Sequence, residues 1–383
     1  MSYLRSTPPT VDRISTLPDS VICHILSFLP TKEAAATTIL SKKWNRNPLW
    51  LSLLTLDFDQ QNFADFASFR HFVYSVMLMR NITLPIRSFL LKCGNSSDFN
   101  RHDVNRFIQA VVQRGIQNLN LHMFTATSHC FKLPQCVLNC NSLTVLKLKW
   151  LRIQHFSKVN FPLLKTLHLE DIRFFLRHPI YLQKFLHGCP VLEDLQIQDI
   201  LLFDYECGEF NGLLKLVKAN IFNSTMWNIP FSWVCNAKFL CNRPYGCQVP
   251  AFLNLTNLKI IFGSTTNDWL GKWKWMTEVL QNSPKLQNLT IHERKIYEIG
   301  NDDWVDPSIV PKCLSSELRT YSLIGYVGMK REFQFAEYIL KNAKALHTMK
   351  ISASDVDLSI KHQMLMKLSL CPRGSTTCKL SFD

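Results

Sequence analysis

The chain has 383 residues, 47% of them hydrophobic, and 43 Lys and Arg against 29 Asp and Glu, a formal net charge of +14. That length suits two or three domains or one elongated repeat array. No apolar run nears the ~20 residues that span a bilayer, and Met1–Thr10 lacks the apolar core of a secretion signal. Thirteen scattered cysteines read as reduced thiols, so the expectation is an intracellular protein of the nucleus or cytoplasm. Lys and Arg form no block of like charge, which argues against a dedicated nucleic-acid site; a solvated basic surface is expected instead.

The first elements lie between Asp12 and Trp50. Ile22, Ile25, Leu26 and Leu29 recur at i, i+3, i+4 and i+7, the spacing of one helical face. Pro18 and Asp19 suit the first turn of that helix, and Pro30 ends it by biasing Leu29 away from helix. Thr31 is placed to cap a second helix, with Glu33 in its first turn and Ala34, Thr37, Ile39, Leu40 and Trp44 along it. A segment this short buries little core of its own, so its apolar surface calls for a partner.

Leu17-Pro18-Asp19, Ile22, Ile25-Leu26-Ser27-Phe28-Leu29-Pro30, Lys32, Ala34, Leu40-Ser41-Lys42 and Trp44 together resemble an F-box, in the form found in plant F-box proteins with leucine-rich repeats. One departure is the step Asn45-Arg46-Asn47-Pro48, where the family usually runs more directly into Leu-Trp. The resemblance implies docking on a small Skp-type adaptor that leads to a cullin ubiquitin ligase. The adaptor-facing candidates are Leu17, Pro18, Ile22, Ile25, Leu26, Leu29, Pro30, Leu40 and Trp44, some of which must fill the segment's own core.

Downstream, Phe66, Phe69, Phe72, Val73, Val76 and Met77 make a helical stripe, Ile86–Lys92 reads as a strand, and Val104, Phe107, Ile108, Val111 and Val112 make a second stripe. An LxxLxL phrase then recurs. It stands at Leu143, Leu146 and Leu148, at Leu164, Leu167 and Leu169, and at Leu192, Leu195 and Ile197, each followed by a further apolar residue, Ile153, Ile172 or Ile200. Weaker copies are Leu255, Leu258 and Ile260; Leu286, Leu289 and Ile291; Leu318, Tyr321 and Leu323; and Leu346, Met349 and Ile351. Leu119 and Leu121 form an earlier partial copy. The intervals are irregular and wider than the ~20–29 residues of regular leucine-rich repeats. Each phrase alternates as a half-buried strand does, and Tyr181, Leu182, Phe185 and Leu186 supply a helical face between two of them. Units that bury their faces only against neighbours predict a curved solenoid.

From about Asp302 the phrases Val310-Pro311-Lys312-Cys313-Leu314, Tyr326-Val327-Gly328, Tyr338–Ala343 and Leu346–Ile351 resemble the FBD region of the same plant proteins. The expected fold is therefore a mixed α/β solenoid. An all-α F-box (11–57) is followed by a transition with first repeats (58–132), then a leucine-rich-repeat horseshoe (133–300), and the FBD region with its terminal cap (301–383).

Chemistry is not apparent. Cys136 and Cys140 with His122, His129 and Cys130 match no CxxC ligand pair, and Cys235, Cys241 and Cys247 have no accompanying histidine. Adjacent carboxylates such as Glu193 and Asp194 point to opposite faces of a strand. No catalytic residue, metal or cofactor is expected. The remaining functional surface is the polar, concave face of the strands, where Lys147, Lys149, His168, Glu170, Gln196, Gln198, Lys259, Thr290 and His292 are the candidates for binding a protein substrate. The expected function is a non-catalytic substrate receptor of a Skp-cullin-F-box ligase. The alternative is a repeat scaffold for protein or nucleic acid with a degenerate F-box, suggested by the Asn45–Pro48 step and the net charge of +14.

Overall fold

The computed structural model describes residues 14, 16–40, 42–94, 99–124, 130–203, 210–222, 229–242, 248–262, 269–293, 306–353 and 358–382. It divides into two compact units, Met1–Gln154 and His155–Asp383.

The first unit opens with helices α1 (Asp19–Leu26), α2 (Thr31–Ala36) and α3 (Lys42–Arg46), separated from α2 by a 3-10 turn at Thr37–Leu40 and followed by another at Leu49–Ser52. Strand β1 (Thr55–Asp59), helix α4 (Phe66–Met79), strand β2 (Ser88–Cys93), helix α5 (Arg101–Gln113) and strand β3 (Asn118–Met123) come next. The unit ends with β4 (Phe131–Lys132), α6 (Gln135–Leu138), β5 (Val145–Lys149) and β6 (Leu151–Ile153). The two helical stripes fall on α4 and α5. Asp65 accepts the Ser68 N–H at 2.7 Å to start the first, and Asn100 accepts the His102 N–H at 2.9 Å to start the second. Strands β1, β2, β3 and β5 pair in that order, all parallel. Their inner rows are Leu56–Phe89–Leu119–Leu146 and Phe58–Leu91–Leu121–Leu148, every member buried. Buried Arg80, at the end of α4, donates to the carbonyls of Leu51 and Pro85 and so ties the helical segment to the lead-in of β2.

The second unit contains β7 (Thr166–Glu170), β8 (Arg173–Phe174), α7 (Pro179–His187), β9 (Asp194–Gln198), β10 (Lys218–Phe222) and β11 (Phe239–Asn242). It continues with β12 (Asn257–Phe262), α8 (Trp269–Gln281), β13 (Asn288–Glu293), α9 (Lys312–Ser316), β14 (Thr320–Tyr326), α10 (Lys330–Asn342), β15 (Thr348–Ala353), α11 (Leu358–Ser369) and β16 (Lys379–Phe382). From β9 to β16 each strand pairs in parallel with the next, and β7 pairs with β9. Two strands absent from the sequence reading, β10 and β11, fill the long interval between the repeats at Leu192 and Leu255. The recurring apolar residue after the LxL core also has a backbone cause. Trp150, Asp171 and Asp199, each directly after a repeat strand, take positive φ of 57°, 50° and 49°. The chain turns there, and Ile172 and Ile200 tuck into the core; in the first repeat Leu151, directly after the turn, does so as well as the expected Ile153. Asp tolerates this conformation better than most residues.

The FBD-like region is held by a buried polar cluster. Lys272 on α8 pairs with Glu293 on β13, both side chains almost fully buried, and the Lys272 ammonium lies over the rings of Phe262 and Trp273 at 4.2 and 4.4 Å. Glu332, in the first turn of α10, accepts the N–H groups of Val327, Gly328 and Met329 at 3.1 Å each. Those donors favour a carboxylate, but burial, with the negative charge of Glu293 adding to it, pushes Glu332 up to about 7. Gly325 takes φ +83° at a bulge in β14, where a Cβ would clash with the Glu293 carbonyl oxygen.

The raised Glu332 value fixes a sign. The folded state holds a proton that the unfolded chain gives up near 4.5. The resulting stabilisation is complete below that value and is lost as pH rises through about 7. Melting temperature is therefore expected to fall between about pH 5 and pH 7.5, and Glu332→Gln, which keeps an acceptor oxygen without the charge, should flatten the fall. Thermal melts across that range check it; an equal slope in the variant contradicts the assignment.

Candidate functional site: an apolar helical face and a polar sheet face

Thr31 decides how the N-terminal helices sit. Its side chain is buried, and its Oγ1 accepts the Asp57 N–H of β1 at 2.7 Å, pinning the start of α2 to the first strand. Ile22, Leu26, Ala34, Trp44 and Trp50 fill the space beneath, and Trp50 stacks on Phe72 of α4 with ring centroids 6.5 Å apart. Thr37 and Thr38 hydrogen-bond back to the carbonyls of Ala34 and Ala35 at 2.6 and 2.8 Å. Such back-bonding competes with the regular helix, and the chain tightens there into its 3-10 turn. That turn carries Ile39 and Leu40 outward. The Asn45–Pro48 step closes without disruption. The Asn47 N–H reaches the Lys43 carbonyl at 3.0 Å, and Pro48 opens the short turn that drives Trp50 inward.

The predicted adaptor-facing residues separate into two sets. Ile22, Leu26 and Trp44 are buried in the unit's own core, and Leu17 and Pro30 are half-buried. Pro18, Ile25, Leu29 and Leu40 are exposed. Beside them stand exposed apolar residues that the periodicity did not single out for the surface: Ile14, Val21, Phe28 and Ile39. Phe28 is 75% exposed, Ile39 86% and Leu40 67%, values that decide which side of the hairpin lacks a partner. Exposed Lys42, Lys43 and Arg46 lie in the following helix. An apolar area of this kind on one small module is the usual mark of a protein contact.

The second candidate surface is the outer, polar side of the strands. In the first unit Lys147 lies in register with Asn120, and Lys149 with His122; the Lys149 ammonium sits 4.3 Å from the Trp150 ring. In the second unit His168, Gln196, Asn220, Cys241, Lys259 and Thr290 form one continuous row across neighbouring strands. Glu170 and Gln198 pair one row further on, and His292 lies opposite Ile261. Glu193 and Asp194 diverge as alternation requires: Glu193 pairs with Lys165 at 2.9 Å, and Asp194 faces His168 at 3.8 Å. Among the described cysteines, burial pushes the thiols of Cys93 and Cys313 up to about 12, which keeps them protonated and unreactive. No group of three His, Cys, Asp or Glu among the described residues is arranged to hold a metal ion; His129 and Cys247 lie outside the described residues.

Comparison with known proteins bears on both surfaces. The F-box domain family matches residues 14–47, the LRR repeats of FBD-associated F-box protein At5g56370 match 104–208, and the FBD family matches 306–351. The F-box/FBD/LRR-repeat protein At4g26340 of Arabidopsis thaliana is 30% identical over 97% of this chain and 100% of its own length. The FBD-associated F-box proteins At4g10400 and At5g56370, also of Arabidopsis thaliana, are 29% and 28% identical over 97% of this chain and all of theirs. The chain belongs to the F-box/FBD/LRR-repeat family.

The apolar face thus lies within the F-box, and the polar rows belong to strands that follow it. In this F-box/FBD/LRR-repeat chain the sequence reading passed over Lys218, Asn220, Asn257 and Asn288 on the outer sheet face. The Asn288 amide donates to the Asn257 side-chain oxygen at 2.8 Å, a cross-strand rung of the sheet. A period-2 alternation in residues 218–222 was the available signal, weakened because Ala219 rather than leucine fills its inner position.

The division between inward and outward residues is measurable. Trp44→Ala should cost about 3–5 kcal/mol, the usual range for emptying a buried aromatic site. Phe28→Ala and Ile39→Ala should change stability by no more than about 0.5 kcal/mol, as exposed sites do. Chemical denaturation of the full chain separates the two; a large loss at Phe28 would show that it packs internally.

Proposed function

We propose that the protein is the substrate-recognition subunit of a Skp-cullin-F-box ubiquitin ligase. The observation that carries this reading is the exposed apolar face of Val21, Ile25, Phe28, Leu29, Ile39 and Leu40 on a hairpin whose own core is already filled. Such a face gains most by docking on a complementary groove of a Skp-type adaptor, with Lys42, Lys43 and Arg46 supplying attraction to an acidic rim. The F-box match at 14–47 and the F-box relatives support it. In this reading residues 11–57 dock, 58–132 lead into the repeats, 133–300 present the target-binding face, and 301–383 close the array. The protein performs no bond chemistry itself; it raises the local concentration of a target beside the transferring enzyme held by the cullin. It works in the nucleus or cytoplasm, in keeping with the finding that no helix among the described residues is long and apolar enough to cross a membrane.

Capture of a purified Skp-type adaptor by the full chain tests the assignment. Wild type is expected to bind, and the pair Phe28→Asp with Ile39→Asp to weaken binding at least tenfold while the melting temperature stays unchanged. Equal capture by the variant would overturn this docking face. A wild-type chain that captures no adaptor would overturn the ligase reading and leave a repeat scaffold.

A further inference from the structure

The outer sheet face of the second unit carries a hollow of about 260 Å³ on strands β10–β13, lined by Lys218, Asn220, Cys241, Lys259, Asn288 and Thr290 among others. Its lining contains two ammonium groups and no carboxylate. Other lysines of the strands do meet carboxylates: Lys92 pairs with Asp59 at 3.0 Å and Lys165 with Glu193 at 2.9 Å. Lys218 and Lys259 have no carboxylate within 4 Å among the described residues. Asp194, next to Lys218 in register, is turned to His168 instead. Between the two lysines lies β11, with Cys241 and the exposed Phe239; the Asn220 amide stands beside Lys218 on β10, and the Thr290 hydroxyl lies beyond Lys259 on β13.

We infer that this hollow receives an acidic, extended segment of the target protein, with two carboxylate side chains engaging Lys218 and Lys259. The assignment rests on the outer sheet face being the target-binding surface. The mixed lining fits a peptide: two cations, amide and hydroxyl donors and the exposed Phe239 ring match a segment that carries acidic side chains on an extended backbone. Lys259 lies two strands and two residues away from Lys218, which places their Cα atoms about 12 Å apart. Alternate residues of an extended chain put two carboxylates about 7 Å apart, so each lysine can meet its own partner without both converging on one centre. The Asn220 and Thr290 donors then serve the carboxylate oxygens or the peptide backbone between them. Exposed ion pairs of this kind are screened by salt, so binding should weaken steeply with ionic strength.

Fluorescence anisotropy of the full chain with a labelled glutamate-rich decapeptide, and with its glutamine twin, tests the inference at low salt. The glutamate peptide is expected to bind and the glutamine peptide not. Lys218→Met with Lys259→Met should weaken binding about tenfold, whereas Lys312→Met with Lys344→Met, which removes the same charge elsewhere, should leave it within twofold. No binding, equal binding of both peptides, or equal loss in both lysine pairs would overturn the inference. Inorganic phosphate competing at concentrations comparable to the peptide would also overturn it and assign the hollow to a small anion. Adaptor capture by the same preparation keeps the two readings apart: capture without peptide binding ends this inference and leaves the docking reading standing.

Discussion

One-sided burial of a parallel strand ladder is the constraint on which both units depend. A strand places alternate side chains on opposite faces, so a row of inward positions must be apolar at every strand or the ladder loses its core. In the second unit that row runs Leu167, Leu195, Ala219, Leu240, Leu258, Leu289, Tyr321 and Met349, and all are buried. The helices that carry the chain back to the next strand supply the other half of this core, as the stacking of Trp273 on Phe335 shows at 4.6 Å. The outward positions are released from packing by the same rule. They can be Lys, Asn, Gln, His or Thr at little cost in stability, and recognition can vary there without touching the fold.

The F-box segment inverts this economy. Its core is small, and it is completed by contacts with β1 and α4 rather than by its own helices alone: Thr31 is tied to Asp57, and Trp50 stacks on Phe72. Anchoring to the following strands leaves the far side of the hairpin outside the packed core. That is why residues as apolar as Phe28 and Ile39 can stand in water within a segment whose neighbours are well packed.

Legibility in the sequence followed how local each signal was. The strong repeats at Leu146, Leu167 and Leu195 and the stripes of α4 and α5 were readable because each announces itself within ten residues or so. β10 and β11 were not, since Ala219 stands where leucine marks the other repeats and Cys241 and Asn242 blur the alternation. The F-box outward face was half readable. α1 is apolar around most of its circumference, so Ile22, Ile25, Leu26 and Leu29 form as good a stripe as Val21, Ile25 and Phe28. Only the position of Trp44, Trp50 and the first strand decides between them. The outward turn at Ile39 and Leu40 depends on hydroxyl-to-carbonyl bonds from Thr37 and Thr38, which no hydrophobic period encodes. The hollow on the sheet face was legible only as the single residues Lys259 and Thr290, because residues more than seventy positions apart are brought together by register.

Register also explains why the outer face is not uniform. Acid and imidazole groups meet on β7 and β9, where His168 faces Asp194. On β10 to β13 amides and ammonium groups replace them, with Asn257 and Asn288 joined across the strands, Lys218 beside Asn220 on β10 and Lys259 beside Thr290 across β12 and β13. A face selected only for solubility would be expected to intersperse both signs of charge. A zone four strands wide whose lining holds two ammonium groups, amides and no carboxylate favours acidic over basic segments, which is the ground of the proposed peptide site. Specificity of that kind is gained as much by excluding basic segments as by attracting acidic ones, and it needs no departure from the ladder that holds the unit together.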